Sequence, residues 1–333
     1  MSPLPTVTAL VPAYDAERFV GEAIDSALAQ DYPAELLDVV VVDDGSRDAT
    51  AEVVAERAAR SAGRVTLIRQ PNRGNPVAVS RAVQAARGEH VALLDADDAW
   101  PADKLRRQVD VLHAHPEVSL VYGDMRLIDT EGATLEESWL GLVWPGEPPS
   151  GHCFSQLLVA NAATASTLLL RGSVARAITP IPAGILAADW WLVVRAAQAG
   201  EVAYLREPRT LYRFHGDNIG LGAEGERLRR SLQRRAILQR WYLRRLAPGT
   251  ATAEELAAVW DAFEHNASEI SRLGDSAFAA ILDVNDDDRM KAAELLAQAR
   301  TQAGAEALAT IIRAAATDPF NAPAREALAT TLA

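Results

Sequence analysis

The first hundred residues alternate two hydrophobic periods. Thr6 to Val11 is a β-branched and apolar run that stops at Pro12. Phe19, Val20, Ala23, Ile24, Ala27 and Leu28 then recur at helical spacing. Val39 to Val42 is a continuous apolar run that breaks into Asp43-Asp44-Gly45-Ser46. A second helix follows, capped at Asp48 or Thr50 and carrying Val53, Val54 and Ala58 on one face. Val65 to Ile68 reads as a third strand, Val77 to Ala86 as a third helix, and Val91 to Leu94 as a fourth strand ending in Asp95-Ala96-Asp97-Asp98. Such alternation predicts an α/β fold, a largely parallel sheet with helices on both faces. In sheets of this kind ligands collect outside the carboxyl ends of the strands. Two strands here end in clustered carboxylates.

From about Gly123 to Gly222 the pattern is less regular, with strands expected at Val118 to Tyr122, Thr164 to Leu170 and Val202 to Tyr204. The Pro/Gly-rich stretch Val143 to Gly151 reads as a loop, either a flap or a solvated connection. After Gly222 the composition turns to Arg, Ala, Leu and Glu with few β-branched residues, which predicts a separate helical region. The expected organisation is therefore residues 1–222, divided into 1–122 and 123–222, followed by 223–333.

Composition narrows the classes. The chain has 333 residues, 49% hydrophobic and 23% charged, the balance of an ordinary globular protein. Cys153 is the only cysteine, so no internal disulfide forms, and a cytoplasmic location is expected. A net charge of −12 argues against nucleic acid or a general anionic surface as partner. No apolar run is long enough to span a bilayer, and peripheral membrane association is left open.

Among the carboxylates, Asp95-Ala96-Asp97-Asp98 packs three acids into four residues, an arrangement relieved by water or a cation. Hard divalent ions such as Mg²⁺ or Mn²⁺ bind jointly to protein carboxylate and substrate phosphate. Asp43 and Asp44 can serve a base edge or ribose hydroxyls, or only cap the next helix. Asp189, opening a helix with Trp190 and Trp191, is a candidate general base or a plain N-cap. Trp190 and Trp191 are candidates for an acceptor-side stacking platform or for core. In Tyr212-Arg213-Phe214-His215, Arg213 can offset phosphate charge, and His215 can ligate a metal, donate to phosphate or serve only structure. Asp283 to Glu294 imitates a calcium loop but has Asp288 where the turn needs Gly, and reads as an acidic helix cap.

Together these pieces resemble the inverting glycosyltransferases of family 2, which have the GT-A fold. They stand in the family's order: Val11-Pro12-Ala13-Tyr14, Val41-Val42-Asp43-Asp44-Gly45-Ser46, Asn72-Arg73-Gly74, Ala86-Arg87-Gly88-Glu89, Leu94-Asp95-Ala96-Asp97-Asp98, Asp189-Trp190 with Arg195-Ala196-Ala197, and Tyr212-Arg213-Phe214-His215. The resemblance covers about residues 5 to 220. It implies a Rossmann-like mixed sheet with a C-terminal α-helical region, and transfer of a sugar from a UDP- or dTDP-linked donor. The acceptor would be a hydroxyl of a glycan, a glycolipid or a small molecule, as in polysaccharide biosynthesis. It further implies that Pro12, Ala13, Tyr14, Asp43, Asp44, Gly74, Asp95, Asp97 and Arg213 bind the donor. Asp98, Asp97 and His215 would hold Mn²⁺ or Mg²⁺, and Asp189 would be the base. The sequence departs from the pattern at Ala188, where an acid is common, and at Ser80, where asparagine is frequent. The helical region is a candidate dimer surface. A catalytically decayed sugar-nucleotide-binding module is the alternative. A nucleotidylyltransferase is disfavoured because Pro12-Ala13-Tyr14-Asp15 replaces the Gly-rich loop such enzymes carry, and a dehydrogenase because no Gly-x-Gly-x-x-Gly follows the first strand.

Overall fold

The computed structural model describes residues 4–144, 146–215, 218, 225–245, 252–272, 286–299, 302 and 304–317, with 323, 324, 327 and 330. They fall into two compact units, one built from Met1–Leu157 and Asn161–Asp217, the other from Leu158–Ala160 and Asn218–Ala333. The expected boundary at 222/223 lies outside the described residues, as do Pro145 and the first three residues of the calcium-loop imitation.

The first unit holds an eight-stranded sheet. Its strands are β1 (Val7–Ala13), β2 (Leu37–Asp43), β3 (Val65–Arg69), β4 (His90–Leu93), β5 (Val118–Ile128), β6 (Thr134–Glu136), β7 (Leu169–Arg171) and β8 (Glu201–Arg213). The order is β3-β2-β1-β4-β7-β5-β6, with β8 also paired to β5. The helices are α1 (Val20–Leu28), α2 (Thr50–Arg60), α3 (Asn75–Ala85), α4 (Lys104–Ala114), α5 (Trp139–Val143), α6 (Phe154–Val159), α7 (Gly172–Ala177) and α8 (Ala188–Ala199). Val39, Val40, Val41 and Val42 are all buried, as expected for a parallel strand covered on both faces. Each such side chain contributes roughly 1.5–3 kcal/mol of burial free energy, which holds the sheet centre together.

β1 pairs in parallel with both β2 and β4. The chain winds outward from β1 through β2 to β3 and then returns to the opposite side of β1, so a switch point opens between β1 and β4. The carboxyl ends of β1 and β4 carry Ala13-Tyr14 and Asp95-Ala96-Asp97-Asp98, which the topology therefore makes neighbours. Beyond β4 the sheet is mixed: β7 is antiparallel to β4 and β5, whereas β8 runs parallel to β5. The strand expected at Thr164 to Leu170 is instead a 3₁₀ turn, Ala165–Thr167, followed by the short β7. Polar Thr164, Ser166 and Thr167 find partners in a turn that a ladder would deny them. The strand expected at Val202 to Tyr204 extends to Arg213, so Tyr212 and Arg213 sit on a strand and not in a loop.

The second unit is helical: α9 (Gly225–Leu243), α10 (Ala253–Arg272), α11 (Asp286–Ala299) and α12 (Gly304–Thr317). Within it, Asn266 Nδ2 donates to Gln239 Oε1 at 2.9 Å, joining α10 to α9. Buried Arg240 donates from Nε to Ala316 O and from Nη2 to Thr317 O, both at 2.7 Å, and so satisfies carbonyls at the end of α12. The acidic run from Asp286 forms the first turns of α11, not a loop. No described helix is long and apolar enough to cross a membrane.

Candidate active site

The turn after β4 is stitched to the end of β8. Ala99 and Leu211 exchange backbone hydrogen bonds of 3.0 and 2.9 Å. Two residues further along β8, Arg213 N donates to Asp98 Oδ1 at 2.9 Å. Another two residues along, His215 meets Asp97, with Nε2 and Oδ2 2.9 Å apart. The sheet thus brings together residues 118 positions apart in the chain. Asp97 and His215 both keep a solvent-facing edge, their side chains 33% and 18% exposed.

Asp98 is placed differently from expectation. Only 2% of it is exposed, Oδ1 accepts from Arg213 N, and Oδ2 accepts from Ser166 Oγ at 2.6 Å. Both carboxylate oxygens of Asp98, expected among the cation ligands, thus fasten its own turn, and the solvent-facing edges belong to Asp97 and His215. Asp95 is half-buried beside them. Burial, the Asp97 carboxylate and the Asp189 carboxylate together push its pKa up to about 8. Burial with Asp97 and Asp95 likewise drives Asp98 well above the carboxylate range, against hydrogen bonds from Ser166 and Arg213. The repulsion also shows that Asp189, at the first turn of α8, lies close enough for its charge to be felt at Asp95. Asn161 Nδ2 reaches Asp189 Oδ2 at 3.4 Å.

Arg213, expected at the donor, is likewise engaged by protein groups. Its guanidinium is buried among protein groups: Nε donates to Asp97 O at 3.0 Å, and Nη1 to Asp129 O and Thr130 O at 3.2 and 3.4 Å. Nη2 lies 2.7 Å from Glu22 Oε2 on α1, and the group stacks over Phe19 at 4.8 Å. Phe19 in turn stacks on the His215 ring, centroids 5.9 Å apart. A planar five-donor fork suits this work, because several carbonyls converge where no water enters.

At the end of β2, Asp43 accepts from Ser46 N at 2.9 Å and from Arg69 Nε at 3.0 Å. Asp44 accepts from Gln70 Nε2 at 2.7 Å, Arg73 N at 2.9 Å and Gly74 N at 2.7 Å. Both aspartates are buried, so they shape the loop 70–74 that borders the β1 and β2 ends. Gly74, expected at the donor, has its backbone N–H engaged by Asp44. Gly45 has φ +79° and a Cβ there would lie 2.6 Å from Asn72 N, so only glycine lets these two loops close on each other. Pro12 and Ala13 are buried, whereas Tyr14 is 41% exposed beyond them.

Trp190 and Trp191 are core residues, each 3% exposed, and donate their indole N–H groups to Leu157 O and Ile178 O. The acceptor-platform reading of this pair is therefore set aside. At the departures from the family pattern, Ser80 Oγ bonds Pro76 O at 2.7 Å and accepts from Ile181 N at 3.0 Å, bridging α3 to the segment before α8, and Ala188 is buried. Ser166, Glu22 and Asn161 were not singled out by sequence reasoning. Only a pairing of distant segments could have marked them, since none lies in a recognisable motif.

Residues 8–146 match the family described as "Glycosyl transferase family 2". An uncharacterized protein of Mycobacterium tuberculosis is 33% identical over 219 residues, covering 65% of this chain and 60% of its own length. The chain thus spans about 60% of the length of that curated relative. Among solved structures, the mannosyltransferase PcManGT from Pyrobaculum calidifontis, in complex with GDP-Man and Mn²⁺, aligns with a TM-score of 0.58 at 22% identity, covering 99% of this chain and 85% of the other. Residues 1–349 of S. aureus TarS, in complex with UDP, align with a TM-score of 0.57 at 17% identity, covering 98% and 92%. Residues 8–146 are thus similar to family 2 glycosyltransferases, and the mixed sheet has the GT-A-type α/β fold of these solved structures.

Proposed function

We propose that this protein is an inverting glycosyltransferase that moves a sugar from a nucleoside-diphosphate sugar to an acceptor hydroxyl. The observation that carries the reading is the Asp97–His215 pair at the β1/β4 switch point, with Asp189 close enough to act on Asp95. The pair offers one oxygen and one nitrogen donor, a set suited to Mn²⁺ and acceptable to Mg²⁺. Among the described residues no three His, Cys, Asp or Glu side chains converge on one point. In this reading Asp97 and His215 would hold the cation beside the donor diphosphate. When bound, it acts as a Lewis acid on the leaving diphosphate. It also answers the charge problem of an acidic protein with an anionic substrate, and it relieves the mutual repulsion of Asp95, Asp97 and Asp98.

In this reading Tyr14 and the loops fastened by Asp43 and Asp44 frame the nucleoside. Asp189 takes the proton of the acceptor hydroxyl. The acceptor oxygen bonds to the anomeric carbon as the bond to the diphosphate breaks, both electrons leaving with the diphosphate, so the configuration inverts. Uracil and thymine are the bases the family resemblance favours. The GDP-Man complex of the Pyrobaculum neighbour adds guanine to the panel.

The test is calorimetric titration with UDP, dTDP, GDP, ADP and CDP, with and without Mn²⁺, on wild type and Asp97→Ala. Metal-dependent binding of one nucleotide, lost in the variant, is expected. Absence of binding by every nucleotide under every metal condition refutes the reading.

A further inference from the structure

We infer that Ser166 is the positioning residue that sets the distance between Asp97 and His215, and so tunes the cation seat; the inference rests on the reading above. The Ser166 hydroxyl works at both ends of the carboxylate turn. It accepts from Asp95 N at 2.9 Å, where the turn begins, and donates to Asp98 Oδ2 at 2.6 Å, where it closes. Asp98 passes the constraint on, because its other oxygen takes Arg213 N at 2.9 Å, and His215 lies two residues beyond. Rotation of Asp98 away from Ser166 would release the end of β8 and, with it, the imidazole.

Ser166 itself has no freedom to follow. Its carbonyl accepts from Trp100 Nε1 at 2.8 Å and from Thr210 Oγ1 at 3.2 Å, which fixes the backbone from the other side. The residue is completely buried in the 3₁₀ turn Ala165–Thr167, a place where packing alone would be met by alanine. A hydroxyl there has one use, which is to satisfy a backbone N–H and a carboxylate oxygen at once. Loss of a group that directly orients a metal ligand typically weakens metal affinity about 10- to 100-fold; Ser166 acts one step further out, through Asp98 and Arg213 N, and so takes the low end of that range.

The experiment compares Ser166→Ala with Thr210→Val. The first removes the hydroxyl that addresses the turn. The second removes a hydrogen bond to the same residue's carbonyl and leaves the carboxylates untouched. Free Mn²⁺ is followed by electron paramagnetic resonance during titration of the protein saturated with the nucleotide it binds, and Tm is measured alongside. Ser166→Ala is expected to weaken Mn²⁺ binding about 10-fold, while Thr210→Val changes it less than about twofold despite a comparable fall in Tm. Equal Mn²⁺ affinity in wild type and Ser166→Ala, or weakening in both variants in proportion to Tm, overturns the inference. Where Ser166→Ala does not fold, Ser166→Cys replaces it, with the same contrast expected and the same equality decisive. A wild type that binds no nucleotide with Mn²⁺ removes the glycosyltransferase reading and this inference together. Wild-type binding that Ser166→Ala leaves unchanged removes only the role of Ser166.

Discussion

Replacing Arg213 by methionine separates two accounts of this site. If the guanidinium were a phosphate ligand, its loss would weaken donor binding and leave the fold intact. Its observed place predicts the reverse emphasis. Methionine keeps much of the stem and deletes the donors to Asp97 O, Asp129 O and Thr130 O. A buried acceptor left without its donor costs about 1–3 kcal/mol, and carbonyls stand at the low end, giving roughly 3 kcal/mol for three. The lost contact with Phe19 adds about 1 kcal/mol. Glu22 is left without its partner, but its side chain is 55% exposed and returns to water at little cost. The sum is about 4 kcal/mol, which for a unit of this size lowers Tm by about 10 °C. His215 loses its placement as a consequence, so metal-dependent nucleotide binding weakens as well. Thermal and urea unfolding of wild type, Arg213→Met and Arg213→Lys measure the first effect, and calorimetry measures the second. Lysine retains the charge opposite Glu22 but lacks the fork, and is expected to recover only part of the loss. A methionine variant with unchanged Tm and abolished nucleotide binding would refute the buried-clamp account and restore Arg213 as a ligand.

Two further outcomes follow from the same geometry. Asp189→Asn is expected to lower turnover of the donor, read as sugar release to water or acceptor, by about 10²–10⁴-fold while nucleotide affinity stays within about twofold; full activity in this variant excludes Asp189 as the base. Lys104 is buried against the Trp100 ring and donates to Gln108 Oε1, and burial drives its pKa well below 10.5. The unfolded chain binds that proton more readily than the folded one, so wild-type stability falls as pH drops from about 10.4 toward the depressed folded value. Urea unfolding from pH 10 to 7 should show Lys104→Met gaining stability relative to wild type as pH falls, and a pH-independent difference would contradict the burial of that amine.

The local part of this protein was legible in its sequence because it rests on local physics. Strand and helix periods, the carboxylates at the ends of β2 and β4, and Gly45 at a left-handed turn are all properties of a few consecutive residues. The alternation of elements placed Asp97 just beyond a strand's carboxyl end, where ligands collect in such sheets. What the sequence left undecided was the direction in which each polar side chain works. Asp97 and Asp98 are adjacent and chemically identical, yet the end of β8 leaves one at the surface and fastens the other beneath it. Arg213 became a clamp, and Trp190 and Trp191 became core, because carbonyls from distant segments closed around them. Ser166 reaches Asp98 across 68 positions and Arg213 reaches it across 115. Contacts of that span follow from how the mixed half of the sheet packs, because a buried donor or acceptor must find whichever partner the folded chain brings within reach.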